Sequence, residues 1–385
     1  MTSLADVCSH IVDCKNRTAP TDTDGEYFAI GTPAMRGNVI NFREARRINA
    51  LTFKEWTARL IPEPGDLLLA REAPVGPVVI VPPGDNIAAG QRTTLLRVDP
   101  RIADARYLRH YLVAAPTQAR LLSRAHGSTT PHLRVDDIRN FDVDLPSLDE
   151  QRAIAEVLGA LDDKIAANTA LAAAADNVVR VEYETLDAPY VRIDSVATSP
   201  RVKADPVHLA SQETYVGLEH LGRRNMWLSE SGTASQVTSA KSRFESRDVL
   251  FGKLRPYFHK VVGAPTDGIC STDILVLRAR NAADSSMLLA AVSSDSVISE
   301  VVAASEGTRM PRTSWKDLAS VNIRWPNDAS RSTMGARLDS IRDSAEAAIA
   351  ENTVLEETRD ALLPHLMSGK LRIRDAEAVA AAAGA

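Results

Sequence analysis

Cysteine is scarce in this chain, and what is present forms no recognisable framework. Cys8, Cys14 and Cys270 are the only cysteines among 385 residues. So few and so widely spaced, they exclude the disulfide-dense scaffolds of small secreted proteins and lack the paired spacing of zinc ligands. We therefore expect three reduced thiols.

Long apolar runs are missing as well. No stretch approaches the roughly 18 apolar residues that a membrane span needs. The first residues, MTSLADVCSH, lack the basic and then apolar pattern of an export signal. A hydrophobic content of 44% and a charged content of 25% are typical of globular proteins, and the length favours two or three units. We therefore expect a cytoplasmic protein.

Signatures of catalysis are also absent from the sequence. It contains no G-x-G-x-x-G, Walker A, G-x-S-x-G or H-E-x-x-H motif, and no Asn-Pro-Pro-aromatic or Asp-Pro-Pro-aromatic tetrapeptide of an amino-methyltransferase. The adjacent pairs Asp136 with Asp137 and Asp162 with Asp163 point apart on a helix, which predicts solvated charges or caps. His126 and His132 flank a turn and are expected to be surface or DNA-facing residues rather than metal ligands. A non-catalytic chain without metal or cofactor is the prediction.

What the chain does contain is an internal repeat. Residues 127–146, GSTTPHLRVDDIRNFDVDLP, align without a gap to residues 307–326, GTRMPRTSWKDLASVNIRWP, at an offset of 180. Downstream, IAANTAL at 165–171 returns as IAENTVL at 349–355, at an offset of 184. Four extra residues, about one helical turn, have therefore entered the second copy. A two-fold repeat suits a pseudo-symmetric or bipartite ligand.

Each half of the chain has a mixed segment followed by a helix. Short β-like runs such as DLLLA, VVIVP, DVLF and DILVLR alternate with Gly/Pro turns, and helical stretches are expected at 103–124 and 285–304. We predict an α+β fold with two similar domains, each followed by a long helix, in a pseudo-two-fold arrangement. The predicted segments are the mixed domains 1–146 and 188–326, the helices 147–187 and 327–373, and a disordered Ala-rich tail, 374–385.

The two helices carry apolar stripes at coiled-coil spacing. Each would span about 40 residues, or roughly 60 Å. Asn168 and Asn352 interrupt the stripes near the middle of each helix, and in an antiparallel pair they would face each other and fix the register. The alternative is that each is a solvated flank residue. Residues expected to set register or bind a partner are Glu150, Gln151, Ile154, Leu158, Leu161, Ile165, Asn168, Leu171, Ile349, Asn352, Leu355 and Leu362.

Charge divides the chain in the same way. The net charge is −5, yet the mixed segments carry 18 basic against 17 acidic residues in 1–146 and 17 against 14 in 188–326, so the excess acid lies in the helical segments. Arg and Gln suit base edges, and Lys suits phosphates. Residues expected to contact DNA are Lys15, Arg17, Arg36, Arg43, Arg46, Arg47, Arg71, Gln91, Arg92, Arg134, Arg223, Arg224, Lys241, Arg243, Lys253, Arg255, Tyr257, His259, Lys260, Arg309 and Arg312.

One stretch resembles a known family. LPSLDEQRAIAEVLGALDDKIAANTAL, residues 145–171, is similar to the central conserved region of the specificity subunits of Type I restriction-modification systems. LLPHLMSGKLRI at 362–373 is similar to their C-terminal ending, and GDLLLAREAPVG and RDVLFGKLRPYFHKV resemble strands of their two target-recognition domains. The second helix has PNDASRSTMG in place of PSLDEQRAIA, which departs from the Glu-Gln signature.

The resemblance implies a non-catalytic DNA-binding subunit. Segments 1–146 and 188–326 would be target-recognition domains 1 and 2, separated by a long antiparallel two-helix coiled coil. Each domain would read half of a split, asymmetric sequence in double-stranded DNA. The helices would bind two methyltransferase subunits, and restriction subunits could add. S-adenosylmethionine, ATP and Mg²⁺ would belong to the partners. The alternatives are a coiled-coil scaffold that does not bind DNA, a specificity protein of another methylation-based defence system, and an enzyme with unrecognised active residues.

Replacing both helix asparagines with leucine tests the register hypothesis. Asn168→Leu with Asn352→Leu is expected to raise thermal stability, because apolar side chains pack better in a seam, and to loosen register or assembly. Thermal unfolding and light scattering measure the two effects. Lower stability with unchanged assembly would contradict it.

Overall fold

Two compact units make up the chain. The computed structural model describes residues 2–84, 86–305 and 311–385. The first unit comprises 1–163 with 355–385, and the second comprises 164–354. The chain passes from the first unit to the second within one long helix and returns within another.

The described residues of the first unit form nine short strands and several short helices before its first long helix. Its strands are β1 Thr2–Ser3, β2 Cys8–Asp13, β3 Tyr27–Ile30, β4 Arg46–Ile48, β5 Leu67–Arg71, β6 Val75–Ile80, β7 Ile87–Ala89, β8 Thr93–Val98 and β9 Asp142–Val143. Its helices are α1 Leu4–Val7, α2 Ala50–Trp56, α3 Ala105–Val113, α4 Ala115–Ser123, α5 Val135–Arg139 and the first part of α6 Leu148–Glu184. The strand predictions DLLLA and VVIVP are confirmed as β5 and β6.

Antiparallel pairing in the order β2-β8-β5-β6 forms the main sheet of the first unit. Leu68 in β5 lies opposite Leu95 on one side and Val79 on the other, and all three are buried. The continuous apolar run of β5 is explained by this central, covered position. A second sheet, β4-β3-β7, pairs β3 with β7 in parallel, and β1 pairs with β9.

The second unit repeats this plan. Its strands are β10 Tyr190–Arg192, β11 Ala197–Thr198, β12 Lys203–Ala204, β13 Thr214–Val216, β14 Gly232–Thr233, β15 Lys241–Phe244, β16 Val249–Gly252, β17 Val261–Gly263, β18 Gly268–Cys270, β19 Ile274–Ala279 and β20 Asn322–Arg324. Its helices are α7 Ile193–Val196, α8 Ser285–Val292, α9 Asp295–Ala304, α10 Trp315–Ala319 and most of α11 Asp328–Met367; α12 Ile373–Ala382 lies in the first unit.

Sheet order confirms the repeat. The order β11-β19-β16-β17 matches β2-β8-β5-β6, and Leu250 faces Val276 and Val262 as Leu68 faces its neighbours. DVLF and DILVLR are confirmed as β16 and β19. The second sheet, β12-β15-β18-β13-β14, again contains one parallel pair, β13 with β18, and β10 pairs with β20. The α+β class and the two similar units are therefore confirmed.

The two predicted helical stretches each divide in two. Between α3 and α4, Ala114 has extended backbone and Pro116 follows in the first turn of α4, where a missing N–H costs nothing. Between α8 and α9, Ser294 has extended backbone, and its side chain accepts from Val297 N. In each stretch a residue with extended backbone therefore ends one helix and starts the next, earlier than the apolar pattern suggested.

The long helices α6 and α11 run antiparallel. In the second unit, Asn168 Nδ2 donates to Glu351 Oε2 at 2.7 Å, and further along α6 Glu182 pairs with Arg337 at 2.6 Å. As the residue number in α6 rises, the number of its contact residue in α11 falls, which is the pattern of an antiparallel pair. In the first unit Asp162 of α6 pairs with Arg359 of α11 at 2.9 Å. Helix α11 is continuous through the four-residue insertion.

The predicted apolar seam is mostly buried. Ile154, Leu158 and Leu161 of α6 and Leu355 and Leu362 of α11 are at most 5% exposed in the first unit, while Ile165 and Ile349 of the second are half-buried. Leu171 is 46% exposed, so its placement on the seam is wrong. Seam positions on a helix recur every three or four residues. From Ile165 they fall on Asn168 and on buried Ala172, so Leu171 lies beside the seam and faces outward.

The two seam asparagines lie at the same level without bonding to each other. Asn168 is 6% exposed and bonds to Glu351, the residue before Asn352. Asn352 Nδ2 donates to Thr169 Oγ1 at 3.2 Å and to the Ile165 carbonyl at 3.4 Å. Each amide thus contacts the opposite helix beside the other asparagine. Their role in fixing the register stays a prediction.

The C-terminal tail and the cysteines are each the subject of an expectation. The tail 374–385 is not disordered, because α12 covers most of it and buries Ala376 and Ala380; alanine has the highest helix propensity of any residue. The cysteines are free thiols, as expected, and all three are buried. Burial raises the pKa of Cys8 and Cys270 to about 12.

Buried charges attach each long helix to its own unit. In the first unit Asp162 of α6 pairs with Arg109 of α3, which is 7% exposed and donates to the Asn38 carbonyl at 2.9 Å. The prediction that Asp162 is a solvated charge is therefore wrong, whereas Asp137 is the expected cap, accepting from Arg134 N at 3.0 Å. The sequence pattern did not distinguish these two aspartates because both lie beside a second carboxylate.

The second unit uses an arginine from α11 instead. Arg342 is fully buried, bonds to Glu346 Oε1 at 2.6 Å and donates to the Ala264 carbonyl at 2.8 Å. Gly263 makes room for it, because a Cβ there would lie 2.9 Å from the Arg342 guanidinium.

Acid should destabilise the protein through His110. This side chain is 2% exposed beside Arg109 and lies 3.7 Å from Asp162, with Arg106 and Arg359 also acting on it. Burial lowers its pKa to about 3, so the folded protein holds it neutral while the unfolded chain takes up a proton near pH 6.5. Its contribution to stability is complete above pH 6.5 and is lost as pH falls toward 3.

Between pH 7 and pH 5 this linkage should remove about 2 kcal/mol from the free energy of unfolding. His110→Gln, which cannot titrate, should show a correspondingly smaller loss. Urea unfolding at the two pH values measures both. Equal losses in the two proteins would mean that His110 is protonated in the folded state.

Candidate nucleic-acid interface

Helix α6 begins with a capping box. Ser147 Oγ and N donate to the Glu150 carboxylate at 2.7 and 3.1 Å, and Glu150 N donates back to Ser147 Oγ at 3.4 Å. The side-chain bond from Ser147, followed by the backbone bond, lowers the pKa of Glu150. This carboxylate therefore caps the N-terminus of the helix, although its side chain remains exposed.

Gln151, the second residue of the Glu-Gln signature, faces inward. It is 1% exposed, its Oε1 accepts from Asp104 N at 3.0 Å, and its Nε2 donates to the Pro146 carbonyl at 3.0 Å. The side chain thus joins the start of α6 to the loop before α3 in the same unit. Its predicted contact with a partner subunit is wrong, because both of its polar atoms are bonded inside this chain.

Arg331 makes the equivalent connection in the second unit. It lies 180 residues after Gln151, donates to the Pro326 carbonyl at 3.1 Å and bonds to Asp284 Oδ1 at 2.9 Å. Pro326 and Asp284 are themselves 180 residues after Pro146 and Asp104. The second copy, PNDASRSTMG, therefore replaces the amide of Gln151 by the guanidinium of Arg331. The start of the helix is still attached to the equivalent residues.

Several predicted DNA contacts of the first unit are exposed cations. Arg36, Arg43 and Arg134 have exposed side chains with no ion pair or side-chain hydrogen bond in the described part of the chain. Arg46 donates to Thr21 Oγ1 at 2.9 Å and remains exposed, as does Arg47, whose guanidinium lies over Phe28. These five arginines can reach a ligand at little rearrangement cost.

Lys15 and Arg17 share one carboxylate and one ring. Both bond to Glu55, and both lie over Trp56, at 4.9 and 5.0 Å from its centroid. The hydrogen bond from Lys15 is the largest cause that lowers the pKa of Glu55. Their charges are thus partly neutralised but remain on the surface.

Three other predicted contacts of the first unit serve its own structure. Arg71 is 12% exposed and bonds to Asp13 Oδ1 at 3.0 Å, so it is not available as a DNA contact without breaking that pair. Gln91 accepts from Thr18 Oγ1 at 2.7 Å. Arg92 pairs with Glu72 at 3.4 Å.

Most predicted cations of the second unit have partners within it. Burial lowers the pKa of Lys253 and Lys260, whose ammonium groups donate to backbone carbonyls. The pairs are Arg224 with Asp295, Arg243 with Glu213, Arg312 with Asp273, Lys241 with Ser239, Lys253 with the Thr272 carbonyl and Lys260 with the Leu218 carbonyl. Arg309 lies outside the described residues.

An exposed cluster of aromatic and cationic side chains remains, and we call it the aromatic-cation patch: Arg223, Arg255, Tyr257 and Phe258. Arg223 lies over the Phe258 ring at 4.0 Å, and Tyr257 meets that ring edge-on at 4.8 Å. Tyr257 is 50% exposed. Arg255 is exposed, and its only close side-chain contact in the described residues is the Phe258 ring, at 5.9 Å. Such a patch can stack on bases and bond to base edges or phosphates.

His259 is the clearest wrong prediction among these contacts. It is 3% exposed, its Nε2 lies 2.8 Å from the Ser293 carbonyl, and burial lowers its pKa. Four positions along the chain separate it from exposed Arg255, yet the loop turns it into the interior. Sequence composition alone does not show that turn.

No metal centre is found in the described residues, where no group of three or more His, Cys, Asp or Glu side chains has suitable geometry. His126 Nε2 lies 3.0 Å from Asp137 Oδ2, and its ring is 6.1 Å from that of His132. Among the same residues no single helix is long and apolar enough to cross a membrane; only the bent pair Ala282–Val292 and Asp295–Ala304 passes by length and composition.

Comparisons with known proteins agree with this architecture. Residues 2–175 match the family model described as the Type I restriction modification DNA specificity domain. The Type I restriction enzyme EcoDI specificity subunit of Escherichia coli is 24% identical over 290 residues. The chain is therefore similar to Type I restriction-modification specificity subunits, and the family match is limited to residues 2–175, less than half of its length.

The match to that relative covers 62% of this chain, and the chain spans 62% of the length of the relative. The crystal structure of the S subunit from M. genitalium is similar with a TM-score of 0.57 at 16% identity, covering 94% of both chains. This likeness concerns the fold alone, and it covers both units.

Gln151→Ala should destabilise the first unit. It leaves Asp104 N–H and the Pro146 carbonyl without partners in a buried position, which costs about 1–3 kcal/mol of unfolding free energy. Chemical denaturation measures the loss. Glu156→Ala, an exposed change five residues further along the same helix, should stay within about 0.5 kcal/mol of the parent.

Gln151→Arg supplies a second comparison, because an arginine can reach the Asp104 carboxylate as Arg331 reaches Asp284. It should recover part of the stability lost in Gln151→Ala. If Gln151→Ala is as stable as Glu156→Ala, the attachment does not hold the helix.

Proposed function

We propose that this chain is the DNA-recognition subunit of a Type I restriction-modification complex and reads a split, asymmetric target. Each unit reads one half of the target in double-stranded DNA. The chain itself does no chemistry on the DNA. It works in the cytoplasm, where the methylation and restriction machinery would meet DNA.

One observation carries this proposal: the same scaffold presents different side chains in its two copies. Strands β5 and β16 end in the same way, with Arg71 N bonded to the Arg92 carbonyl and Lys253 N bonded to the Asp273 carbonyl. The segment that follows reads EAPVGP in the first copy, where its last three residues begin β6, and LRPYFH in the second. A duplicated frame with unlike loops suits a target whose two halves differ in sequence.

Exposed cations in both units support binding to DNA rather than to a neutral ligand. Arg36, Arg43 and Arg134 in the first unit, and Arg223 with Arg255 in the second, can contact phosphates or base edges. Because most other cations have carboxylate or carbonyl partners, this chain alone should bind DNA weakly and with strong salt dependence. Partner subunits would supply further phosphate contacts.

The long helices are the proposed docking elements for partners. Their seam is buried between them, while the excess acid of residues 147–187, nine acidic against three basic residues, is unsuited to DNA and suits protein contacts. We infer that two methyltransferase subunits dock there and that restriction subunits add to the assembly. S-adenosylmethionine, ATP and Mg²⁺ would be bound by those partners.

Exchange of residues 188–326 tests whether each unit recognises its half of the target separately. The corresponding domain of a relative with a different target, placed on this chain, should change one half of the methylated sequence and leave the other half intact. Sequencing of methylated adenines in cells that express each chain with the methyltransferase subunit measures both halves.

The reciprocal exchange of residues 1–146 is the matched control and should change the opposite half. A change in both halves after either exchange would contradict readout by separate units. Absence of any methylated motif with the parent chain, or a homodimer indifferent to the methyltransferase subunit, would favour the scaffold alternative.

A further inference from the structure

The loop that carries the aromatic-cation patch has an unusual backbone. Arg255 and His259 have φ angles of +49° and +52°, and Arg224 on the adjacent segment has +49°. Side-chain-bearing residues rarely adopt this left-handed region, so surrounding contacts must hold the backbone there. The loop conformation is therefore imposed by its anchors.

His259 is the anchor at the end of the loop. Its Nε2 lies 2.8 Å from the Ser293 carbonyl, between α8 and α9, and its Nδ1 lies 3.4 Å from Asp295. Arg224 closes the arrangement, because its N donates to the His259 carbonyl at 2.9 Å and its guanidinium pairs with Asp295 at 2.8 Å. His259 and Arg224 are thus bound to one short segment of the unit, whereas the N–H of Arg255 donates to the Pro311 carbonyl at 2.8 Å.

Helix α6 bonds to the same segment through Arg180. Its Nη1 donates to the Ser293 carbonyl at 2.8 Å and lies 3.4 Å from His259 Nε2. Asp176, one turn earlier, holds this guanidinium at 2.8 Å and also accepts from Met226 N at 2.9 Å. The Arg180 and Asp176 side chains are only 12% and 6% exposed, so neither can contact DNA or a partner directly.

The first unit anchors its counterpart loop differently. There Gln118 of α4 donates to the Gly76 carbonyl at 2.9 Å and to the Leu112 carbonyl at 2.6 Å. Within the described residues no side chain of α6 bonds to residues 72–77. The link between α6 and a surface loop is therefore a feature of the second unit.

We propose that Arg180 is a positioning residue for recognition of one half of the target. It acts through His259 and the Ser293 carbonyl to hold the loop on which Arg255 and Tyr257 face solvent. The inference rests on the proposed function, because it takes the aromatic-cation patch as the surface that reads the half-site of the second unit. Removal of the guanidinium should loosen that loop and leave the first unit unaffected.

The test uses the full chain assembled with its methyltransferase subunits. Methylation rates are measured on the parent target and on duplexes with one base pair changed in either half. Arg180→Met, which keeps the aliphatic stem, should lower discrimination in the half read by the second unit by about tenfold, the equivalent of one good base contact. Discrimination in the other half should stay within about twofold, which also shows that the variant is folded.

Arg337→Met is the matched control. Arg337 pairs with Glu182 of α6 in the same unit, but its side chain is 69% exposed and makes no bond to the loop. It should leave discrimination in both halves unchanged. Arg180→Lys keeps a charge beside Asp176, but one ammonium group does not bond to Asp176 and the Ser293 carbonyl as the guanidinium does. Its discrimination should therefore lie between that of the parent and that of Arg180→Met. This variant replaces Arg180→Met in the test if the methionine variant folds poorly.

A double-mutant cycle distinguishes positioning from general loosening. If Arg180 acts through the patch, Arg180→Met combined with Arg255→Ala should lose little more discrimination than Arg255→Ala alone. Additive losses, or equal losses in both halves, would overturn the inference. A parent complex with no defined methylated sequence would instead refute the proposed function and leave no half-site for Arg180 to position.

Discussion

Everything in each unit depends on how the start of a long helix is tied to the sheet domain before it. Gln151 makes this attachment in the first unit by bonding to Asp104 N and the Pro146 carbonyl, and Arg331 makes it in the second with Asp284 and the Pro326 carbonyl. An amide and a guanidinium thus do equivalent work at equivalent positions. The constraint is geometric, because a helix that pivots at its first turn moves its far end by many ångströms.

Polar attachment continues along both helices, with residues that differ between the units. The first unit pairs half-buried Asp162 with buried Arg109, whereas the second buries Arg342 against Glu346 and the Ala264 carbonyl. Buried charges contribute little net stability, but each is costly to leave unpaired in a shifted arrangement. They therefore select one arrangement of helix on domain, while the apolar seam supplies the burial that holds the helices together.

The candidate nucleic-acid interface shows which exposed residues composition can predict and which it cannot. Clusters of lysine and arginine predicted the contact loops, and Arg255 with Tyr257 does face solvent. Yet Arg71 and His259, which belong to the same clusters, are turned inward by an ion pair and by a left-handed backbone. Asp176 and Arg180 were missed because a polar pair four residues apart on an otherwise apolar face looks like a solvated edge; its spacing on the buried side was the available signal.

The sequence by itself determined the repeat, the α+β class, the helix pair and the family resemblance, since these follow from periodicity and local pattern, which the chain carries in order. Tertiary structure alone decided that Leu171 faces solvent, that the tail forms α12, and that Gln151 of the Glu-Gln signature faces inward. The reason is physical: whether a polar side chain meets water or another residue depends on contacts between segments far apart in sequence. Local pattern does not contain those contacts.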